Sequence, residues 1–341
     1  MKPGASQADI DRVVEEISKH GFKAHPIPGA QGTAIGITGN RGPVEPGPFE
    51  SLANVLSCIP VSRPYKLVNR DAKPEGSTIT VRGVTIGPGS FTVMAGPCAV
   101  ESRDQILATA HAVKQAGASV LRGGAFKPRT SPYAFQGLKE EGLKLLEEAR
   151  LQTGLPVITE AKDVETLPLV VQSADIVQIG ARNMQNFSLL EAVGEQPKPV
   201  MLKRGLSSTV SEWLMAAEYI AARGNLQIIL CERGVRTFET TTRNTLDLGI
   251  LPSLREFTHL PIVVDPSHGT GHAASVPALA QAAVAVGADG VMVEVHPEPS
   301  KALSDGPQSL NFQQFQSLMD GVRAVAKALG KPLSEADMPS D

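Results

Sequence analysis

The chain has 341 residues, a net charge of −3 and 42% hydrophobic residues, which leaves room for one large α/β domain with a small appendage and a substantial core. A pI near 6.2 gives no global basic field, so nucleic acid and anionic membranes are poor partners and any anion has to be caught locally. The start, MKPGASQADIDR, lacks the apolar core of a signal peptide, no apolar run nears the roughly 18 residues of a membrane helix, and Cys58, Cys98 and Cys231 show no C-x-x-C spacing, so the expectation is a cytoplasmic protein without a disulfide framework or zinc ribbon.

From Ser6, Ile10, Val13, Val14 and Ile17 share one helical face, with Ser6 as the N-cap and Gly21 as the stop. Two short strands follow at Lys23 to Ile27 and Thr33 to Ile37, then a helix around Phe49 to Leu56 and a last strand near Ile59. That order is a split α-β-β-α-β unit missing its opening strand. Pro60 to Gly76 reads as a linker, and TITVRGVTIGPG as a hairpin turning at Arg82-Gly83.

From Phe91 short apolar strands alternate with amphipathic helices. The strands fall at Thr92 to Ala95, Ser119 to Leu121, Val157 to Glu160, Ile176 to Ile179, Val200 to Lys203, Gln227 to Cys231, Ile262 to Asp265 and Gly290 to Glu294. Near-continuously apolar strands in eight β-α repeats fit a closed (β/α)8 barrel, a TIM barrel, better than an open doubly wound sheet. Neither a Rossmann fingerprint nor a P-loop follows the first strand.

Barrel active sites collect at the C-terminal ends of the strands, and the unusual residues fall there. Strand one ends in Gly-Pro-Cys98, strand two in Arg122 and the loop GGAFKPRTSPYAFQG, strand three in Glu160, and strand four in Gly180-Ala181-Arg182. Strands five to eight end in Lys203-Arg204-Gly205, Cys231-Glu232-Arg233-Gly234, Asp265-Pro266-Ser267-His268 and Glu294-Val295-His296. Cations in a loop are usually just solvated, but here Gly123-Gly124, Pro128 and Pro132 stiffen the segment that carries Arg122, Lys127 and Arg129. Arg122, Lys127, Arg129, Arg182, Lys203 and Arg233 would repel one another unless a multiply anionic ligand filled the site, so a phosphate and carboxylate cradle is expected. Cys98, His268, Glu294 and Asp305 form a candidate metal group whose S, N and O donors suit a first-row divalent ion over magnesium. Singly, a cysteine is more often a buried apolar residue than a ligand; the group carries the reading. The glycines of HGTGH argue against a helix that would align His268 with His272, and Cys58, Cys231 and Trp213 read as structural.

The ordered set GPCAVES, KPRTSPYAFQG, IGARNMQNF, LKRG, CERG, DPSHGTG and VEVHPEP closely resembles 3-deoxy-D-arabino-heptulosonate 7-phosphate (DAHP) synthases of the microbial type related to 3-deoxy-D-manno-octulosonate 8-phosphate synthases. The octulosonate enzymes typically read KANR where this chain has KPRT. The resemblance implies condensation of phosphoenolpyruvate with erythrose 4-phosphate, releasing phosphate, as the first step of the shikimate pathway to aromatic amino acids. It implies that Arg122 and Lys127 hold the phosphoenolpyruvate carboxylate, that Arg182, Lys203 and Arg233, beside Ala181, hold its phosphate, and that Arg129 and Thr130 take the sugar phosphate. Cys98, His268, Glu294 and Asp305 would bind manganese, iron, cobalt or zinc. Lys127, its pKa depressed by neighbouring cations, would give or carry a proton, and Glu160 would orient the attacking water. The resemblance also implies a tetramer, with residues 1–68 as a ferredoxin-like regulatory domain for an aromatic amino acid effector and 69–341 as the catalytic barrel. Met1 falls where the first strand of such a domain should be ending, so its sheet lacks a strand or borrows one from a neighbouring subunit. Octulosonate synthesis and a ligand-sensing barrel without catalysis are the alternatives.

Overall fold

Strands that are apolar along their whole length have to be covered on both faces, and closing them into a barrel wrapped by helices does this. The computed structural model describes residues 1–30, 32–40, 42–59, 63–128, 131–334 and 336. Helix α1 (Gln7–Lys19), strands β1 (Lys23–Pro28) and β2 (Thr33–Thr38) and the single turn α2 (Gly47–Glu50) come first, followed by β3 (Ile79–Val81) and β4 (Val84–Ile86). The barrel runs β5 (Thr92–Gly96), α3 (Arg103–Ala116), β6 (Val120–Arg122), α4 (Glu140–Thr153), β7 (Val157–Glu160), α5 (Leu167–Ser173), β8 (Ile176–Ile179) and α6 (Phe187–Gly194). It continues with β9 (Val200–Lys203), α7 (Val210–Ala222), β10 (Ile228–Glu232), α8 (Ile250–Phe257), β11 (Ile262–Val264), α9 (Pro266–Thr270), α10 (Val276–Ala285), β12 (Gly290–Glu294) and α11 (Phe312–Ala328). Strands β5 to β12 pair in parallel with their sequence neighbours, and β12 closes on β5.

The barrel interior is filled from below. Met94, Val120, Ile158, Ile176, Met201, Ile229, Val263 and Met292 point inward and pack with Ile79, Val81, Val84 and Ile86 of the β3–β4 hairpin. Cys231 joins this cluster as an ordinary apolar side chain. The hairpin turns as expected at Arg82 (φ 45°) and Gly83 (φ 79°), the paired positive φ values of a tight two-residue turn. Arg82 Nε then reaches Asp175 Oδ1 at 2.7 Å, just ahead of β8. With the N-terminal mouth plugged, only the C-terminal mouth can admit a ligand.

At the amino end, Ser6 and Asp9 form a capping box on α1 and Gly21 follows its last turn at φ 78°. Two expectations fail here. The helix awaited over Phe49 to Leu56 is only Gly47–Glu50, and among the described residues no strand forms near Ile59. Leu52, Val55 and Leu56 imitate a helical stripe, but Asn54 sits at φ 62° and breaks it, and so short a helix cannot carry its nucleation cost. The segment after 63 is gripped by the barrel. The Glu218 carboxylate on α7 accepts the backbone N–H groups of Lys66, Leu67 and Val68 at 2.9–3.1 Å, and buried His259 donates from Nε2 to Leu67 O at 2.8 Å.

Candidate active site

A cavity of about 320 Å³ opens at the C-terminal mouth, lined by Arg122, Lys127, Glu160, Ala181, Arg182, Lys203, Arg233, His268 and Asp305 among others. The cations at the ends of β6, β8, β9 and β10 therefore do converge. Arg129 and Thr130 lie outside the described residues. Two of the cations are already countered. Arg122 Nη1 donates to Glu294 Oε1 at 2.6 Å and to Pro97 O at 3.1 Å, and Lys203 Nζ donates to Asp265 Oδ2 at 2.6 Å. Among the described residues neither Arg182 nor Arg233 makes an ion pair, and burial pushes the Arg233 pKa down. These two guanidinium groups are the ones left to meet an anion.

Opposite them, Cys98, Glu294 and Asp305 bring donor atoms within 4.8 Å of one another. The buried Cys98 thiol donates to Asp305 Oδ2 at 3.2 Å, and burial pushes its pKa up to about 12. His268 borders the group, with Nε2 3.5 Å from Glu294 Oε1. Its Nδ1 lies 2.7 Å from Asp265 Oδ2, a bond that places the proton on Nδ1 and leaves the Nε2 lone pair facing Glu294. Burial lowers the His268 pKa, so the ring is neutral as a ligand requires. Asp305 is held at φ 52°, a conformation that costs a non-glycine residue energy and recurs at ligand sites. A thiol, a neutral imidazole with a fixed tautomer and two carboxylates fit the chemistry of a first-row divalent cation.

Lys127 folds back across this group, donating from Nζ to Cys98 O at 2.9 Å and to Sγ at 3.2 Å. Gly124 permits the fold-back, since a Cβ there would lie 2.6 Å from Cys98 O and 2.7 Å from Lys127 Cδ. The expected depression of the Lys127 pKa is not found. Burial acts to lower it, but Cys98, Glu160 and Glu294 outweigh that and hold it above its ordinary value. Lys127 is therefore a protonated donor. Glu160 accepts from Gln178 Nε2 at 3.1 Å at the cavity wall.

Sequence reasoning placed Asp265 at the end of strand seven but gave it no role, though it ties Lys203 to His268, and it missed Gln178, Arg243, Asn244 and Gln308. Asp265 had a local signal, because its side chain caps His268 N at 2.9 Å at the start of α9. The others come from distant loops. Gly271 at φ 75° ends α9, so His272 does not align with His268 and instead faces a neighbouring cavity. His296 binds Glu101 and Glu298 N away from the mouth.

Comparison with known proteins points the same way. The profile of the DAHP synthetase I family matches residues 66–329, and that of the DAHP synthase ferredoxin-like domain matches residues 1–63. The phospho-2-dehydro-3-deoxyheptonate aldolase of Thermotoga maritima is 52% identical over 330 residues, covering 97% of this chain and 98% of that protein. A 2-dehydro-3-deoxyphosphooctonate aldolase of Syntrophobacter fumaroxidans is 34% identical over 258 residues, 70% of this chain and 88% of its own. The crystal structure of the Thermotoga maritima DAHP synthase superposes with a TM-score of 0.79 over 97% of each chain, at 52% identity. A truncated form of that enzyme gives 0.74 at 51% identity, over 78% of this chain and 98% of its own. With the barrel and the amino-terminal unit both matched, the chain belongs to the DAHP synthetase I family, enzymes of the DAHP synthase type.

Proposed function

We propose that this enzyme joins phosphoenolpyruvate to D-erythrose 4-phosphate, giving DAHP and inorganic phosphate at the head of the shikimate pathway. The observation that carries this reading is the convergence of Arg182 and Arg233, which make no ion pair among the described residues, with Arg122, Lys127 and Lys203 on one cavity that Asp305 of the Cys98, Glu294 and Asp305 group also lines. Arg122 and Lys127 take the phosphoenolpyruvate carboxylate. Arg182, Lys203 and Arg233 take its phosphate beside Ala181, and Arg129 and Thr130 the sugar phosphate. Cys98, His268, Glu294 and Asp305 would hold a divalent ion (manganese, iron, cobalt or zinc), which when bound supplies Lewis-acid polarisation of the aldehyde oxygen. Carbon C3 of phosphoenolpyruvate then bonds to the aldehyde carbon, water adds at C2, and the C2–O bond to phosphate breaks. Protonated Lys127 gives its proton to the aldehyde oxygen as that becomes a hydroxyl. The added water returns one proton to Lys127 and its other leaves with the phosphate, and the Glu160 carboxylate orients the water.

Residues 1–68 serve as the regulatory unit for an aromatic amino acid, with the barrel of 69–341 as the catalytic unit. The enzyme works as a tetramer, and its phosphorylated substrates, which do not cross membranes unaided, favour a cytoplasmic location. Among the described residues no helix is long and apolar enough to span a membrane.

The test is consumption of phosphoenolpyruvate with erythrose 4-phosphate or arabinose 5-phosphate, after chelation and after manganese is restored, with tyrosine, phenylalanine or tryptophan added in turn. Metal-restored turnover with erythrose 4-phosphate is expected. Preference for arabinose 5-phosphate makes the enzyme an octulosonate synthase, and silence with both in a folded, metal-loaded sample makes the barrel a ligand sensor.

A further inference from the structure

Glu294 and Asp305 each divide their oxygens in the same way. One oxygen of each faces the donor group: Glu294 Oε1, which also accepts from Arg122 Nη1 at 2.6 Å, lies 3.5 Å from His268 Nε2, and Asp305 Oδ2 lies 3.2 Å from Cys98 Sγ. The other oxygen of each is tied from behind. Gln308 Nε2 donates to Glu294 Oε2 at 2.7 Å, and Arg243 Nη1 lies 3.3 Å from Asp305 Oδ1. The same Arg243 atom donates to Gln308 Oε1 at 2.8 Å. Buried Gln308 therefore has a cation on its oxygen and a carboxylate on its nitrogen, which leaves its amide one orientation.

The third ligand is braced from the same loop. Helix α9 is only five residues long and cannot hold His268 by itself. Arg243 N donates to Thr270 O at 2.8 Å and Asn244 N to Gly269 O at 2.9 Å, while the buried Asn244 side chain donates to His268 O at 2.8 Å. One short stretch after β10 thus reaches His268 through Asn244, Asp305 through Arg243, and Glu294 through Arg243 and Gln308.

We propose that Arg243, Asn244 and Gln308 are positioning residues of the metal centre, setting which carboxylate oxygens face the ion and where the backbone that carries His268 stands. This rests on the reading that Cys98, His268, Glu294 and Asp305 bind a divalent cation. Arg243 also separates the active-site cavity from a neighbouring one of about 340 Å³ lined by Thr240, Thr241, Thr242 and His272. A role as a substrate ligand is therefore the competing account.

The test uses the full chain stripped by chelator, with manganese binding followed by electron paramagnetic resonance and the cobalt form by its thiolate charge-transfer spectrum. Gln308→Leu and Arg243→Met should each weaken manganese binding by about 10- to 100-fold, the usual reach of residues that orient metal ligands. They should also shift the cobalt spectrum and leave phosphoenolpyruvate binding unchanged. Arg243→Lys, which restores the charge on Asp305 but not the planar fork, should recover part of the affinity. Arg243 is half-exposed, so its variants remain folded and informative if Gln308→Leu does not. Manganese affinity and cobalt spectrum equal to wild type in the Arg243 variants would overturn the proposal, as would a change confined to the KM of the sugar phosphate. If wild type itself takes up no manganese that Cys98→Ser abolishes, the metal reading fails, and the positioning role fails with it.

Discussion

Asp265 shows how much one buried carboxylate can organise. Its Oδ2 accepts from Lys203 Nζ and from His268 Nδ1, and its Oδ1 caps His268 N. Burial opposes its charge, yet His268 and Lys203 hold its carboxyl well below the usual range. It thereby couples Lys203, proposed to hold phosphate, to His268, proposed to hold the metal. Asp265→Asn should lower kcat/KM for phosphoenolpyruvate by about 100-fold, since the amide cannot serve both partners and misplaces both groups. It should also cost about 3–5 kcal/mol in urea unfolding, because Lys203 is left buried without a counter-charge. A variant within a factor of two of wild type in both measurements would refute the coupling. The cations were legible in the sequence because they stand at or just after strand ends, but which carboxylate counters which cation was not. Lys203 and Asp265 are 62 residues apart and Arg122 and Glu294 are 172 apart. The expected direction for Lys127 failed for the same reason: its cationic neighbours are close in the chain, whereas Glu160 and Glu294 arrive from β7 and β12.

Among the elements, the barrel strands were legible because continuous apolar runs separated by helical stripes admit few other arrangements. The segment from Tyr65 to Ser77 was not, since it has no periodicity and is held by side chains of α7 and the loop after α8. His259 lies at its centre. Leu67 O can only accept, so Nε2 carries the proton, and Ser77 Oγ donates to Nδ1 at 2.8 Å. Both nitrogens are thus used by the neutral ring, and burial lowers the pKa to about 4. Between the unfolded value of 6.5 and about 4, the unfolded chain binds the extra proton. Stability should therefore fall as pH is lowered through this window, by about 3 kcal/mol once pH is below 4. Urea midpoints measured from pH 7 to 4 should show this slope in wild type and a flatter one in His259→Gln, whose amide can still donate to Leu67 O. Equal slopes would mean that His259 does not control acid stability.

At the scale of the whole molecule, the question is where the amino-terminal unit ends in energetic terms. Tyr65, Leu67 and Val68 are buried within the main barrel cluster, and Arg63 lies 4.2 Å over the Phe257 ring of α8. The family profiles meet between residues 63 and 66, among these side chains. A chain beginning at Arg63, supplied with an initiating methionine, keeps the Glu218 clasp and the buried Tyr65, Leu67 and Val68 side chains. One beginning at Asn69, after the division at residue 68, loses both. Removing Leu67 and Val68 forfeits about 1.5–3 kcal/mol of burial for each side chain. It also leaves Glu218, 8% exposed, without the three backbone N–H groups that satisfy its charge, a penalty of the kind that unpaired buried ions incur. The chain from Arg63 should melt close to the full protein and retain turnover with erythrose 4-phosphate while losing any response to aromatic amino acids. The chain from Asn69 should melt well below it and recover with Glu218→Leu, which removes the stranded carboxylate. Equal melting temperatures for the two truncations would show that the clasp adds nothing and that the energetic boundary lies at residue 68. A lower melting temperature rescued by Glu218→Leu would assign the first residues after 63 to the barrel.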